Sequence, residues 1–173
     1  MDLDRWIFVD ETGSHLGFTP RYARAPKGKR AHGRAPRTTG VNHTVITALG
    51  PQGMLPSLIL DGGMTGQAFA MWVEHCLVPH LHTGDVVAMD NVRPHYHPRI
   101  RELIEACGAE LRYLPSYSPD LNPIEEGFSK FKTLLRKAEA RTEETLYSAI
   151  HAGLHTITAS DARGWFRHCG YAA

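Results

Sequence analysis

The chain has 173 residues, 42% hydrophobic and 21% charged, which is the balance of a soluble globular domain large enough to bury a core. Its formal net charge is only +1, so the overall charge does not indicate a nucleic-acid partner. No apolar run approaches the ~18 residues that span a bilayer, and the amino terminus has no basic-then-apolar signal. We therefore predict one domain over residues 1–173, located in the cytoplasm and with no membrane partner.

The first half of the chain carries strand patterns. The predicted strands are Arg5–Val9, a short one near Tyr22–Ala25, His43–Leu49 and Leu55–Leu60. The first ends at Asp10 and is followed by a predicted turn at residues 11–14. The Gly-Pro-Gln-Gly turn at 50–53 predicts that the last two strands form an antiparallel hairpin.

The second half alternates helices with strands. The predicted elements are a helix capped by Thr65 and running to about Val78, the strand 85–89, the helix Pro98–Cys107, the strand 109–114, the helix Pro123–Ala138, and two helices capped by Thr142 and Ser160. Asn122 is predicted as the N-cap before Pro123, since proline suits the first helical position. This order predicts an α/β fold with a mixed sheet, antiparallel at first and then parallel, and helices on both faces.

Three acidic residues occupy positions that suggest a shared site. Asp10 and Asp90 each follow an apolar strand, and Glu125 lies in the first turn of the helix after the turn at 115–122. Taken alone, Glu125 could equally complete a capping box with Asn122. If the two strands are neighbours, however, all three carboxylates meet at one edge of the sheet.

Such carboxylates repel one another unless cations lie between them or some are protonated. Hard oxygen ligands with open positions favour Mg²⁺, with Mn²⁺ as a substitute. Two ions about 3.5–4 Å apart can activate a hydroxyl and stabilise the leaving oxygen of a phosphodiester. The predicted ligands are Asp10, Asp90 and Glu125, with two bound ions.

Two polar residues that follow Asp90 are candidates for supporting this site. Asn91 and His95 could orient a phosphate or a metal-bound water, or could simply satisfy loop backbone. The pair His151 and His155 has helical i, i+4 spacing but lacks the glutamate of the HExxH zinc signature. Zinc therefore remains a minor alternative.

Basic residues cluster in two places. Seven lie between positions 21 and 37 with no acidic residue among them: Arg21, Arg24, Lys27, Lys29, Arg30, Arg34 and Arg37. They could contact a phosphate backbone or form a solvated loop. Lys132 and Arg136 continue the Glu125 side of its helix, where a DNA strand crossing the metal ions would pass, although a solvated stripe explains them equally well.

Three motifs carry a resemblance to a known family. They are F-V-D-E-T-G at 8–13, V-V-A-M-D-N at 86–91 with His95, and L-P-S-Y-S-P-D-L-N-P-I-E-E at 114–126. The chain resembles the catalytic domain of a DDE transposase, in the bacterial insertion sequence 630 branch of the Tc/mariner superfamily. The 34 residues between Asp90 and Glu125 match that family's D-34-E spacing, and G-W-F-R-H-C-G-Y at 164–171 also resembles this branch.

The resemblance implies a ribonuclease-H-like fold and Mg²⁺-dependent cleavage of double-stranded DNA at transposon ends. It also implies strand transfer into target DNA, usually at a TA dinucleotide, by a homodimer on DNA associated with the bacterial nucleoid. Family members carry an N-terminal helix-turn-helix region that reads the terminal repeats. Because this sequence begins nine residues before Asp10, we expect that region to be absent or supplied by an upstream partner. The alternatives are an inactive remnant that still binds DNA, and another ribonuclease-H-like nuclease.

Overall fold

The computed structural model describes residues 2–171, which form a six-stranded mixed sheet with helices on both faces. The strands are β1 (Trp6–Ser14), β2 (His43–Gly50), β3 (Gly53–Met54), β4 (Leu58–Asp61), β5 (Val86–Met89) and β6 (Glu110–Tyr113). The spatial order is β3-β2-β1-β5-β6, and β4 pairs with β2 beside β3. Strands β1 to β4 pair antiparallel, whereas β1–β5 and β5–β6 are parallel, as the order of the elements predicts.

Helices cover the two faces of this sheet. They are α1 (Gly66–Trp72), α2 (Pro98–Ala106), α3 (Ile124–Ala138), α4 (Glu143–His155) and α5 (Ala159–His168). Side chains alternate along β1, so Phe8 packs in the core under α3, α4 and α5, whereas Val9 packs in the core under α1 and α2. No helix within residues 2–171 is long and apolar enough to cross a membrane.

The first strand is longer than the sequence predicts. It continues through the expected turn at residues 11–14, because β2 pairs with it from Phe8↔Leu49 to Ser14↔His43. Asp10 therefore lies inside β1, one residue after the pairing between β1 and β5 ends at Val9.

One further strand prediction is wrong, and another has different bounds in the structure. Residues 22–25 form no strand; Tyr22 is 91% exposed and lies in an irregular segment between β1 and β2. The expected strand Leu55–Leu60 is shorter, because only β4 at Leu58–Asp61 is formed there, whereas β3 lies before it at Gly53–Met54. Pro56, which cannot donate a backbone hydrogen bond to the sheet, lies between the two strands.

Helix ends agree with the sequence at some caps and differ at others. The side chain of Thr65 caps α1 and that of Thr142 caps α4, as predicted. The last helix is capped by Thr158, not Ser160, since Asp161 completes a capping box with Thr158. The first predicted helix is α-helical only as far as Trp72, and it continues as a π-helix at Val73–Leu77.

Candidate active site

Asp10 and Asp90 are brought together by the parallel pairing of β1 and β5. The register places Phe8 beside Ala88 and Val9 beside Met89, so the two aspartates follow at adjacent positions. Phe8 and Ala88 both belong to the core under α3. Because side chains alternate along a strand, Asp10 and Asp90 lie on that same face.

Glu125 reaches the same place from the first turn of α3. A cavity of about 340 Å³ is lined by all three carboxylates, together with Asn122 and the turn at 114–119. Glu125 is exposed, whereas Asp10 is only 7% exposed. Glu126, the next residue, does not line this cavity; its Oε1 lies 3.7 Å from Nε2 of His168.

The Asp10 carboxylate is buried and both its oxygens accept hydrogen bonds. Oδ1 accepts from the Glu11 backbone N–H at 2.8 Å, and Oδ2 accepts from Asn122 Nδ2 at 2.8 Å. Burial raises the pKa of Asp10 to about 8, helped by the charges of Glu11, Asp90 and Glu125, while the Glu11 N–H opposes the rise. Burial and the neighbouring carboxylates therefore disfavour the ionised form of Asp10.

His95 forms a bridge between Asp90 and Glu11 beneath the site. It is fully buried, with Nδ1 2.7 Å from Asp90 Oδ1 and Nε2 3.4 Å from Glu11 Oε2. Its ring packs on Phe69 with centroids 4.3 Å apart, and the Tyr113 hydroxyl donates to its carbonyl at 3.0 Å. Burial lowers the pKa of His95, but the carboxylates of Asp90 and then Glu11 outweigh it and raise that pKa to about 9. An imidazolium at this position pairs with the Asp90 charge and orients the carboxylate.

The structure also shows what the two candidate supporting residues contact. His95 contacts a predicted ligand directly, whereas exposed Asn91 donates from Nδ2 to Ser116 Oγ at 3.2 Å. Asn91 thereby ties the end of β5 to the turn before α3. Sequence reasoning missed the part played by Glu11, which points to the opposite face of β1 yet reaches the site through His95.

Asn122 does not act as the predicted N-cap. Its side chain makes no capping bond to α3, which begins at Ile124 after Pro123. It is 4% exposed and directed at Asp10, so the capping box with Glu125 is not formed by side chains.

The donor set fits a hard divalent cation. As the side chains stand, no three His, Cys, Asp or Glu residues between positions 2 and 171 converge on one ion. The cavity nevertheless joins three carboxylates, whose oxygens are the hard donors that such a cation prefers.

The predicted basic residues of α3 and of the irregular segment approach each other at Arg136 and Arg21. All seven between positions 21 and 37 are exposed. Arg136 on α3 is half-buried, with its guanidinium 5.5 Å from the centroid of the Phe18 ring. Burial lowers the pKa of Arg136, and the charge of Arg21 lowers it further. The end of α3 and the start of the basic segment are therefore neighbours.

The His151 and His155 rings meet on the surface of α4, with their Nε2 atoms 3.1 Å apart. The part of the chain described adds no third metal ligand to this pair. Cys76, Cys107 and Cys169 are free thiols.

Comparison with known proteins identifies the family. A family model described as "DDE superfamily endonuclease" matches residues 5–147, so the chain belongs to that family. No curated protein matches the chain by sequence.

Solved structures share its fold. The Mos1 strand transfer complex has 17% identity and a TM-score of 0.77, over 98% of this chain and 52% of that one. The catalytic domain of Mos1 mariner transposase has 15% identity and a TM-score of 0.70, over 97% of this chain and 78% of that one. This chain thus spans about half the length of the longer Mos1 chains it matches. These structures confirm the expected ribonuclease-H-like fold, and the family model confirms that the chain is a DDE superfamily endonuclease.

Proposed function

We propose that this protein is the metal-dependent catalytic domain of a transposase, which cleaves DNA at transposon ends and transfers the strand into target DNA. The observation that carries the proposal is the single cavity lined by Asp10, Asp90 and Glu125 at the carboxyl ends of two parallel strands. The raised pKa of Asp10 supports it, since the charges of the other two carboxylates contribute to the rise. A buried carboxyl in this situation is the place where a cation would relieve repulsion.

In this proposal Asp10, Asp90 and Glu125 hold Mg²⁺ or Mn²⁺, two ions in all. When bound, these ions supply activation of a water or a 3′-hydroxyl and stabilisation of the leaving oxygen. The protein's own residues prepare the site. His95 pairs with the Asp90 carboxylate, with Nδ1 2.7 Å from Oδ1, and Asn91 ties the end of β5 to the turn at Ser116. Among the Mos1 structures are catalytic domains with Mg and with Mn, which supports the choice of ion.

The DNA partner follows from the basic residues. We place the phosphate backbone along Lys132 and Arg136 of α3 and the exposed segment at 21–37, whose seven cations face solvent. The similar Mos1 structures include a strand transfer complex and a paired-end complex with the left transposon end. Recognition of terminal repeats, a TA target, a homodimer on DNA and a helix-turn-helix partner or domain belong to the same proposal, as does action on the bacterial nucleoid.

Cleavage assays test this function directly. Purified protein is incubated with supercoiled plasmid, a linear DNA duplex and an RNA–DNA hybrid, each with Mg²⁺, with Mn²⁺ and with EDTA. We expect metal-dependent cleavage of DNA and none of the hybrid. Preferred cleavage of the hybrid would indicate a ribonuclease H, and DNA binding without cleavage an inactive remnant.

The Asp90→Asn variant tests the site assignment. The change is nearly isosteric and removes a metal-binding charge, so cleavage should fall at least about 100-fold, on the scale of losing a metal's contribution to the transition state. Circular dichroism should be unchanged. The matched control is Glu102→Gln, at an exposed position of α2. A normal cleavage rate for Asp90→Asn would refute the assignment.

A further inference from the structure

The backbone and the side chain of Asn122 make separate contacts. Its backbone N–H donates to Pro119 O at 3.0 Å, and its carbonyl accepts from the Glu125 N–H at 3.1 Å. The backbone is thus satisfied by the turn and by the start of α3. The buried carboxamide contributes no cap and donates from Nδ2 to Asp10 Oδ2 instead.

A second contact fixes this turn against the strand that carries Asp10. The Tyr171 hydroxyl donates to Leu121 O at 2.8 Å, immediately before Asn122. The Tyr171 ring packs against Phe8 and Trp6 of β1, with centroids 4.8 and 5.1 Å apart. The 2.8 Å bond between Asn122 and Asp10 therefore joins two segments that are already locked together.

These contacts fix the orientation of the Asp10 carboxylate and leave its oxygens able to accept further hydrogen bonds or to bind a cation. A carboxylate oxygen can accept two hydrogen bonds or ligands. Oδ1 of Asp10 has accepted one from Glu11 N–H, and Oδ2 one from Asn122. Each oxygen can still accept one more partner from the cavity.

The other end of the carboxamide is an unused acceptor. Asn122 lines the cavity, and its Oδ1 is buried without a hydrogen-bond partner in residues 2–171. Buried polar atoms are normally paired, so this oxygen requires a donor that enters the cavity. Water bound to a cation is such a donor.

We infer that Asn122 is a positioning residue for the metal site, which fixes the Asp10 carboxylate through Nδ2 and accepts a hydrogen bond from a metal-bound water through Oδ1. The inference rests on the proposed function, because it assumes that Asp10 binds a cation. It adds Asn122 to the three carboxylates as a residue on which cation affinity depends.

Two substitutions separate this role from simple space filling. Asn122→Leu keeps the branched shape and the number of heavy atoms of the side chain and removes its donor and acceptor, whereas Asn122→Ala removes both bulk and polarity. Mn²⁺ affinity is measured by calorimetry on the full chain, together with the melting temperature in EDTA and the plasmid cleavage rate against Mn²⁺ concentration. Asn42→Ala, at an exposed asparagine, is the control.

Both Asn122 variants should bind Mn²⁺ about 10–100-fold more weakly, the usual effect of removing a group that orients a metal ligand. Cleavage should recover substantially at high Mn²⁺ concentration, because the three carboxylates remain. A merely structural role would lower the melting temperature and leave the Mn²⁺ dependence unchanged.

The contrary outcomes are distinct. Wild-type Mn²⁺ affinity in both variants, or in Asn122→Leu alone, would overturn the role of Asn122 and leave the proposed function standing. Absence of Mn²⁺ binding by the wild-type protein would overturn the proposed function and this inference with it. Should Asn122→Leu fail to fold, the smaller Asn122→Ala still provides the affinity measurement.

Discussion

Replacing Asp10 by asparagine should stabilise the metal-free protein, by an amount that grows with pH. The pKa of Asp10 rises from its ordinary value of 3.8 to about 8, first through burial and then through the charge of Glu11. Between these two values the folded protein holds a proton that the unfolded chain releases. The carboxyl therefore costs no stability below about pH 4, and its cost increases until the pH passes about 8.

The size of the effect follows from this difference of about 4 pH units. At about 1.4 kcal/mol per unit, the full cost of the ionised carboxylate in the folded state is at most roughly 5–6 kcal/mol at pH 8 and above. The asparagine removes the charge and can keep both hydrogen bonds. Its amide oxygen accepts from the Glu11 N–H, and its NH₂ group can donate to Asn122 Oδ1 if that carboxamide rotates by half a turn. We expect a net gain of roughly 2–5 kcal/mol at pH 8, and a smaller gain at pH 5.

Urea unfolding followed by circular dichroism, in EDTA at pH 5, 6, 7 and 8, measures the gain as the difference between Asp10→Asn and wild type. His95 also makes stability depend on pH, because its pKa is raised to about 9 in the folded protein. Its stabilising contribution is complete below pH 6.5 and is lost as the pH rises through about 9. It is present in both proteins, so the difference isolates Asp10. Glu102→Gln should show no pH-dependent gain.

Added Mn²⁺ extends the same experiment. The cation should stabilise the wild-type protein and not Asp10→Asn, so the difference should shrink or reverse sign. A difference between the two metal-free proteins that is constant from pH 5 to 8, or that favours wild type at pH 8, would refute the electrostatic reasoning.

Two further predictions concern α3. Glu125→Gln should eliminate plasmid cleavage at saturating Mg²⁺ and Glu126→Gln should retain most of it, because only Glu125 lines the cavity with the aspartates; an inactive Glu126→Gln would disprove the helix register and the D-34-E assignment. Lys132→Ala and Arg136→Ala should each weaken duplex binding without changing Mn²⁺ affinity, and should reduce the slope of log affinity against log salt by about 1. Fluorescence anisotropy at several salt concentrations measures this slope, and a slope equal to that of wild type would argue for a solvated stripe with no phosphate contact.

The local sequence pattern was sufficient to predict the two strands and the helix that carry the three carboxylates. Two apolar runs that end in aspartate predicted strands, and the parallel order of β1 and β5 then places Asp10 beside Asp90. The turn chemistry at 115–123 predicted where α3 begins and therefore where Glu125 lies. Periodicity and turn residues are properties of neighbouring positions, so they can be read without knowing the fold.

The tertiary structure decided the contacts that join distant segments. Strand β1 continues to Ser14 only because β2 pairs with it, although Glu11-Thr12-Gly13 resembles a turn. Asn122 has the ideal chemistry of a helix cap, yet packing of α3 on the sheet directs its side chain to Asp10, 112 residues away. His95 lies between Asp90 and Glu11, with its ring packed on Phe69 of α1. Side chains such as these have several possible local partners, and burial selects the one that satisfies their hydrogen bonds away from water.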